Sequence, residues 1–148
     1  MEDPVSTVKI EFPLEVEDGY PPISVESLNA RQIEDCQFEL LNTPFFAKNV
    51  AYGDVVTAAT HQDGRWIFES CRKVSGFKAI SIILFDDSLD IELLDLLRGL
   101  QCVIEYGEFG RLRMVAVGVP ESVDYIPIRN SLDGYEQLGK LSYAELVA

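Results

Sequence analysis

The hydrophobic pattern of the chain changes character at Gly76. Before it, apolar and polar residues alternate in short segments, the first of which has its apolar residues at Val8, Ile10, Phe12 and Leu14. After it, a nearly continuous apolar run precedes leucines at helical spacing, which are Leu89, Leu93, Leu96, Leu97 and Leu100. Alternation is typical of half-buried strands, and apolar residues every three or four positions are typical of amphipathic helices. The chain is therefore predicted to be α+β.

The first half is predicted to form a small, strongly bent antiparallel sheet or a partial barrel. Strands are expected at 8–14, 23–30, 36–41, 55–60 and 66–70. The apolar positions that begin the second strand are Ile23 and Val25, and a turn is expected within 29–34. Asp63-Gly64 lies between two alternating segments. This pair favours the tight turn that joins antiparallel strands, so it predicts a β-hairpin.

The second half is predicted to form a β-α-β-β unit followed by a C-terminal helix. Strands are expected at 79–85, 102–106 and 112–119. The leucine-rich helix begins after an N-cap at Asp87 or Ser88, and the second helix after an N-cap at Asp124. This order is compatible with a split arrangement like part of a ferredoxin-like fold. The tail, 141–148, is expected to fold back on the body.

The length of 148 residues suits one domain, with residues 1–7 frayed at its start. Three cysteines at irregular spacing argue against a disulfide framework or a zinc site and for a reducing compartment; they are Cys36, Cys71 and Cys102. The sequence shows neither a secretory leader pattern nor an apolar run long enough to span a membrane. A soluble, cytoplasmic protein is therefore expected.

The chain is strongly acidic, with 25 Asp and Glu against 12 Lys and Arg and a formal charge of −13. Such a charge disfavours nucleic acid and anionic membranes as partners and favours a basic protein. The candidate partner-binding residues are Glu34, Asp35, Asp86, Asp87, Asp90, Glu92 and Asp95. Acidity that serves solubility alone is the competing interpretation.

The segment 42–56 is the most distinctive stretch because it combines a proline, several aromatic residues and a Gly-Asp turn. One interpretation is a ligand pocket lined by Phe45, Phe46 and Tyr52, with the carboxylate of Asp54 as its polar group. The other is a packing plug, in which Asp54 stabilises a turn by accepting hydrogen bonds from nearby backbone amides.

Residues of catalytic type do not form a recognisable constellation in the sequence. His61 is the single histidine and lies in the predicted hairpin turn, where a solvated side chain is expected. Cys71 precedes Arg72 and Lys73, which would lower the pKa of an exposed thiol, although an inert cysteine is the competing interpretation. The sequence therefore predicts no catalytic residues, no metal and no cofactor.

Several segments of the sequence carry a family resemblance, namely 38–47, 50–56, 63–68, 72–76 and 115–120. Among them, Pro44-Phe45-Phe46 and the five residues 52–56 are the most specific. On these segments the chain resembles a bacterial family known as domain of unknown function 4265. The resemblance implies a common fold over 24–143 and a soluble bacterial setting. It implies no activity and no site residues, and it leaves out the strand at 8–14.

Two functions follow as expectations. The first is a non-enzymatic acidic protein that neutralises or regulates a basic protein partner, most concretely an immunity protein for a bacterial toxin. The second is a small-molecule-binding or enzymatic domain with its pocket at the loop 44–54.

Overall fold

The computed structural model describes residues 7–86 and 89–148, and within these ranges the protein is α+β, as predicted. The first half contains β1 (Thr7–Pro13), β2 (Val25–Glu34), β3 (Gln37–Leu40), β4 (Val55–Thr60) and β5 (Trp66–Lys73). The second half contains β6 (Lys78–Leu84), α1 (Leu89–Gly99), β7 (Val103–Phe109), β8 (Leu112–Val119), α2 (Ile126–Gln137) and β9 (Leu141–Val147).

Strands β1 to β5 form a closed barrel. Each strand pairs antiparallel with the next in the chain, and β1 pairs parallel with β5 at Ile10–Trp66 and Glu11–Ile67. The barrel is thus complete rather than partial. Its closing pair joins residues more than fifty positions apart, so no local pattern in the sequence indicates it.

The barrel core consists of residues that alternate along the strands, as expected from their period of two. Its fully or almost fully buried side chains are Ile10, Phe12, Leu28, Ala30, Phe38, Leu40, Val56 and Ala58. Two aromatic pairs add specific packing: the Phe12 and Phe68 rings stack at 4.7 Å, and the Trp66 ring lies edge-on to Phe38 at 4.8 Å.

Strand β2 differs from its prediction in length and in phase. It continues through the expected turn at 29–34, and the turn instead lies at Asp35 and Cys36, where Cys36 has a φ of 61°. Val25 is 41% exposed, whereas Glu26 is 4% exposed and faces inward with Leu28. The inward face therefore begins with a carboxylate rather than with valine.

The second sheet has the strand order β7-β8-β6-β9, with every neighbouring pair antiparallel. Because β8 lies between β6 and β7, the helix α1 makes a split β-α-β connection, and α2 makes another between β8 and β9. Both helices pack on one face of the sheet, in a core that includes Ile80, Ile82, Leu93, Leu97, Val115, Val117, Ile128 and Leu132.

The C-terminal tail is a strand, β9, and not simply a segment laid back on the body. Helix α2 begins with Tyr125 at the N-cap position rather than Asp124, whose Oδ1 accepts a hydrogen bond of 3.1 Å from the N–H of Ile126. The expected N-caps of α1, Asp87 and Ser88, lie outside the described residues. Neither helix in the described part of the chain is both long and apolar enough to cross a membrane.

The helix-free face of the second sheet carries small buried residues, including Ala79, Ser81, Ala116 and Gly118. The segment 42–54, which joins β3 to β4, lies against this face. A Cβ atom at Gly118 would lie 2.7 Å from Oγ1 of Thr43, so glycine permits a close approach that any side chain would obstruct. The N–H of Asn49 also donates to the carbonyl of Leu146 in β9, at 3.1 Å. The segment thus connects the barrel to the second sheet.

Candidate functional site

The segment 42–54, called the anchored segment below, is held by carboxylates from three parts of the chain. Glu26 on β2 of the barrel makes the largest set of contacts. Its carboxylate accepts hydrogen bonds from three consecutive backbone N–H groups, those of Phe45 at 2.7 Å, Phe46 at 3.1 Å and Ala47 at 2.8 Å. Bonds from amides to an ionised acceptor are stronger than neutral ones. Glu26 therefore fixes the position of both phenylalanines.

Glu105 on β7 holds the start of the same segment from the second sheet. Its carboxylate accepts hydrogen bonds from Nδ2 of Asn42 at 2.5 Å and from the N–H of Thr43 at 2.6 Å. Oδ1 of Asn42 in turn accepts the N–H of Asn29 at 2.8 Å, which extends the network back to β2. Burial raises the pKa of Glu105, and the charge of Glu26 raises it further.

Asp54 holds the end of the anchored segment and is buried, at 3% exposure. Its Oδ2 accepts the N–H of Ala51 at 2.9 Å and its Oδ1 accepts the N–H of Ser75 at 2.8 Å. Both oxygens therefore accept hydrogen bonds from backbone amides, as in the second interpretation of the sequence, in which Asp54 stabilises a turn. A general base would need a carboxylate oxygen directed at a substrate.

A cleft of about 660 Å³ lies where the barrel meets the second sheet. Its aromatic lining is contributed by Phe12, Tyr20, Phe45, Phe46 and Phe68. Exposed charged residues also line it, namely Glu15, Glu17, Asp18 and Lys48. From the second sheet it is bordered by Ala144 and Leu146 of β9. We call this feature the aromatic cleft; its volume falls within the range of roughly 300–1,000 Å³ that is usual for ligand sites.

The wall of the aromatic cleft is supported from behind by Phe109, near the turn between β7 and β8. Its ring contacts Phe46 edge-on at 4.9 Å and Phe45 at 5.1 Å between centroids. On the cleft side, the Tyr20 ring lies edge-on to Phe46 at 5.8 Å. These edge-to-face geometries are the favourable ones for aromatic pairs. The wall is thus held by Glu26 through its backbone and by Phe109 through its rings.

The four residues of the predicted pocket do not lie together. Phe45 and Phe46 line the aromatic cleft. Tyr52 packs against Phe77, with ring centroids 5.1 Å apart, and Asp54 lines a second cavity of about 580 Å³. The predicted pocket is divided because the anchored segment crosses between two sheets, so its two ends have different surroundings.

The predicted acidic surface is divided between two parts of the fold. Glu34 and Asp35 are exposed at the β2–β3 turn of the barrel, and Glu92 and Asp95 are exposed on α1. A carboxylate oxygen of Asp95 lies 3.8 Å from a guanidinium nitrogen of Arg98. Two further residues of the predicted acidic surface are Asp86 and Asp90. The N–H of Asp86 donates to the carbonyl of Lys140 at 3.2 Å, and Asp90 belongs to α1. Asp87 lies outside the described residues.

Cys36, Cys71 and Cys102 are free thiols, and His61 is exposed. Burial raises the pKa of Cys71 and the charge of Asp54 raises it further, which is opposite to the lowering that Arg72 and Lys73 would produce. Burial raises the pKa of Cys102 to about 11. His61 lies in the hairpin turn and pairs through its backbone with Arg65. Within residues 7–86 and 89–148, no group of three or more His, Cys, Asp or Glu side chains is arranged to hold a metal ion.

Glu26 and Glu105 were not among the residues singled out from the sequence. Glu26 did carry a signal, because it lies in phase with Leu28 and Ala30 and an inward-facing charge on a strand needs a partner. Glu105 carried none, since its partners Asn42 and Thr43 lie more than sixty residues away in the chain.

These features define an α+β protein in which a carboxylate-anchored segment joins a barrel to a second sheet beside an aromatic cleft. The chain belongs to the family described as Domain of unknown function (DUF4265), whose family model matches residues 26–143. The resemblance noted in the sequence is thereby confirmed over most of the chain. The match begins at Glu26, so it includes all three anchoring carboxylates.

Two further comparisons complete this placement. A crystal structure of a hypothetical protein from Neisseria gonorrhoeae is similar with a TM-score of 0.73 and 22% sequence identity, over 99% of this chain and 97% of that chain. The two proteins therefore share a fold. No curated protein matches the sequence.

Replacing Glu26 by Ala is expected to lower the free energy of unfolding by about 3 kcal/mol or more, because it leaves three N–H donors without their acceptor. Urea denaturation followed by circular dichroism measures this change. Glu39→Ala is the control, since Glu39 lies 3.3 Å from Arg31 in a partly exposed pair and its loss is expected to cost under about 1 kcal/mol. Equal losses in the two variants would contradict the anchoring role of Glu26.

The raised pKa of Glu105 predicts a specific pH dependence. In the native state the carboxyl group of Glu105 keeps its proton to a higher pH than its ordinary pKa of 4.5 would allow. The contribution of Glu105 to stability is therefore greatest below pH 4.5 and falls as pH rises through the raised pKa. The free energy of unfolding of the wild type, minus that of Glu105→Gln, should therefore decrease from pH 4 upward. A difference that grows with pH would contradict the assignment.

Proposed function

We propose that this chain is a non-enzymatic binding protein that neutralises or regulates a basic protein partner, most concretely as an immunity protein for a bacterial toxin. The observation that supports the proposal best is the division of its carboxylates into two sets. The first set, Glu26, Asp54 and Glu105, accepts hydrogen bonds from backbone amides and an asparagine side chain and holds the fold. These groups serve structure rather than acid–base chemistry.

The second set is exposed and available. Glu34, Asp35 and Glu92 have no ion-pair partner among residues 7–86 and 89–148. With the net charge of −13, these side chains produce a negative field around the molecule. Such a field accelerates encounter with a cationic partner and selects against anionic ones. The proposed setting is the bacterial cytoplasm, with nucleic acid and membrane surfaces disfavoured by the same charge.

A second candidate function is small-molecule binding at the aromatic cleft. The volume of about 660 Å³ supports it, as does a lining of aromatic rings with a few charged groups. This candidate replaces the pocket expected at 44–54, since Phe45 and Phe46 belong to the cleft and Asp54 does not. A neutral ligand that binds here with salt-independent affinity would favour it over the protein partner.

The proposal is tested with the basic protein encoded beside this chain, because immunity proteins are encoded next to their toxins. The association rate is expected to fall at least about tenfold between roughly 20 mM and 300 mM salt, as screening removes long-range attraction. A variant with Glu34→Gln, Asp35→Asn and Glu92→Gln should associate more slowly at low salt. Lys73→Gln, an exposed change of opposite sign, should leave the rate unchanged or raise it.

The absence of any complex at low salt with the products of the adjacent genes would contradict the proposal. A complex whose association rate does not depend on salt would contradict the electrostatic part of it.

A further inference from the structure

The aromatic cleft combines an apolar wall with an acidic opening. We propose that it receives an aromatic side chain of the basic partner, carried on a segment in which that side chain is flanked by Lys or Arg. This inference rests on the proposed function and identifies both the docking site and the chemistry of the bound segment.

The wall is built to accept a flat apolar group. Phe68, which stacks on the buried Phe12 at 4.7 Å, lines the cleft from the barrel, and the partly buried Phe45 lines it from the anchored segment beside the buried Phe46. Tyr20 lies edge-on to Phe46 and is 45% exposed, so much of an aromatic ring is left in water at the entrance. An incoming ring would cover this surface and add further edge-to-face contacts. The wall therefore favours an aromatic side chain.

The opening carries three exposed carboxylates, those of Glu15, Glu17 and Asp18, against one exposed ammonium group, that of Lys48. The three carboxylates have no ion-pair partner within the described ranges 7–86 and 89–148. The opening is therefore complementary to a cationic segment.

The backbone that carries the acidic side chains is held in place, because Glu17 and Asp18 belong to a closed turn and Glu15 belongs to the loop that leads into it. Glu17 and Tyr20 exchange two backbone hydrogen bonds of 3.0 Å, and Asp18 and Gly19 occupy the left-handed region with φ of 54° and 77°. The N–H of Leu14 donates to the carbonyl of Ser24 at 2.9 Å and closes the base of this loop. A backbone that is already ordered loses less freedom on binding than a mobile one, which improves affinity.

The cleft is accessible from the second sheet, because Ala144 on β9 is both small and exposed at its border. Neighbouring residues of an extended segment are separated by about 3.3 Å. A ring in the cleft would therefore place its flanking cations near Glu15, Glu17 and Asp18, which line the same cleft. A protein segment supplies an aromatic group and adjacent cations together, and this matches the two properties of the cleft.

The test uses blocked tripeptides followed in the amide NMR spectrum of the full chain at low salt. Lys-Phe-Lys is expected to shift the amide signals of Tyr20, Phe46 and Ala47. Lys-Ala-Lys should bind at least about tenfold more weakly, because burial of the ring is lost. Glu-Phe-Glu should give no saturable shift, since it meets like charges at the opening.

Two variants and one control test the cleft without altering its buried wall. Ala144→Trp fills it from an exposed position and is expected to weaken Lys-Phe-Lys at least about tenfold, whereas Ala148→Trp, the same change outside the aromatic cleft, should have no effect. Glu17→Gln with Asp18→Asn should weaken the peptide and reduce the salt dependence of its binding.

Shifts that map to α1 or to the β2–β3 turn instead of the cleft would overturn the inference, as would equal binding of Lys-Phe-Lys and Glu-Phe-Glu. Absence of saturable binding by any tripeptide would overturn it too. In each of these cases the proposed function stands if the neighbouring basic protein still binds with a salt-dependent rate. Failure of that protein to bind would instead overturn the proposed function itself.

Discussion

The fold depends on one buried carboxylate. Glu26 enters from the barrel at a position where an apolar side chain would ordinarily face the core, and it accepts three consecutive backbone amides of the anchored segment. Without that acceptor, those amides would be enclosed between two sheets with no partner, a costly state for any backbone donor. Glu105 supports the same segment from the second sheet, so the connection between the sheets is polar and directional at both ends.

This arrangement links structure to the proposed site. Because Glu26 binds the amides of Phe45 and Phe46, it sets where their rings lie, and those rings form one wall of the aromatic cleft. The acidity of the chain thus has two separate roles. Carboxylates in the interior hold the backbone, and carboxylates at the surface contribute to the negative field around the molecule. The composition of the sequence gives only the total number of acidic residues and does not separate the buried ones from the exposed ones.

Local patterns predicted much of the fold. The leucine spacing indicated α1, and Asp63-Gly64 indicated the hairpin between β4 and β5. Two features were not predictable, for physical reasons. Barrel closure pairs Ile10 with Trp66, and the Glu105 contacts join residues more than sixty positions apart, so neither leaves a local periodicity. For the site, the sequence identified the anchored segment and two of the cleft's phenylalanines. The phase of β2 was misassigned because Val25, although apolar, faces outward.

The central claim is that the backbone of the anchored segment is held by carboxylates from both sheets. Amide hydrogen exchange measures this directly at Thr43, Phe45, Phe46 and Ala47. Although these residues lie outside helices and strands, their amides are expected to exchange at least about a thousandfold more slowly than in an unstructured peptide, comparable to amides in β2 and β8. Exchange within about tenfold of the unstructured rate at these positions, alongside protected strands, would contradict the account.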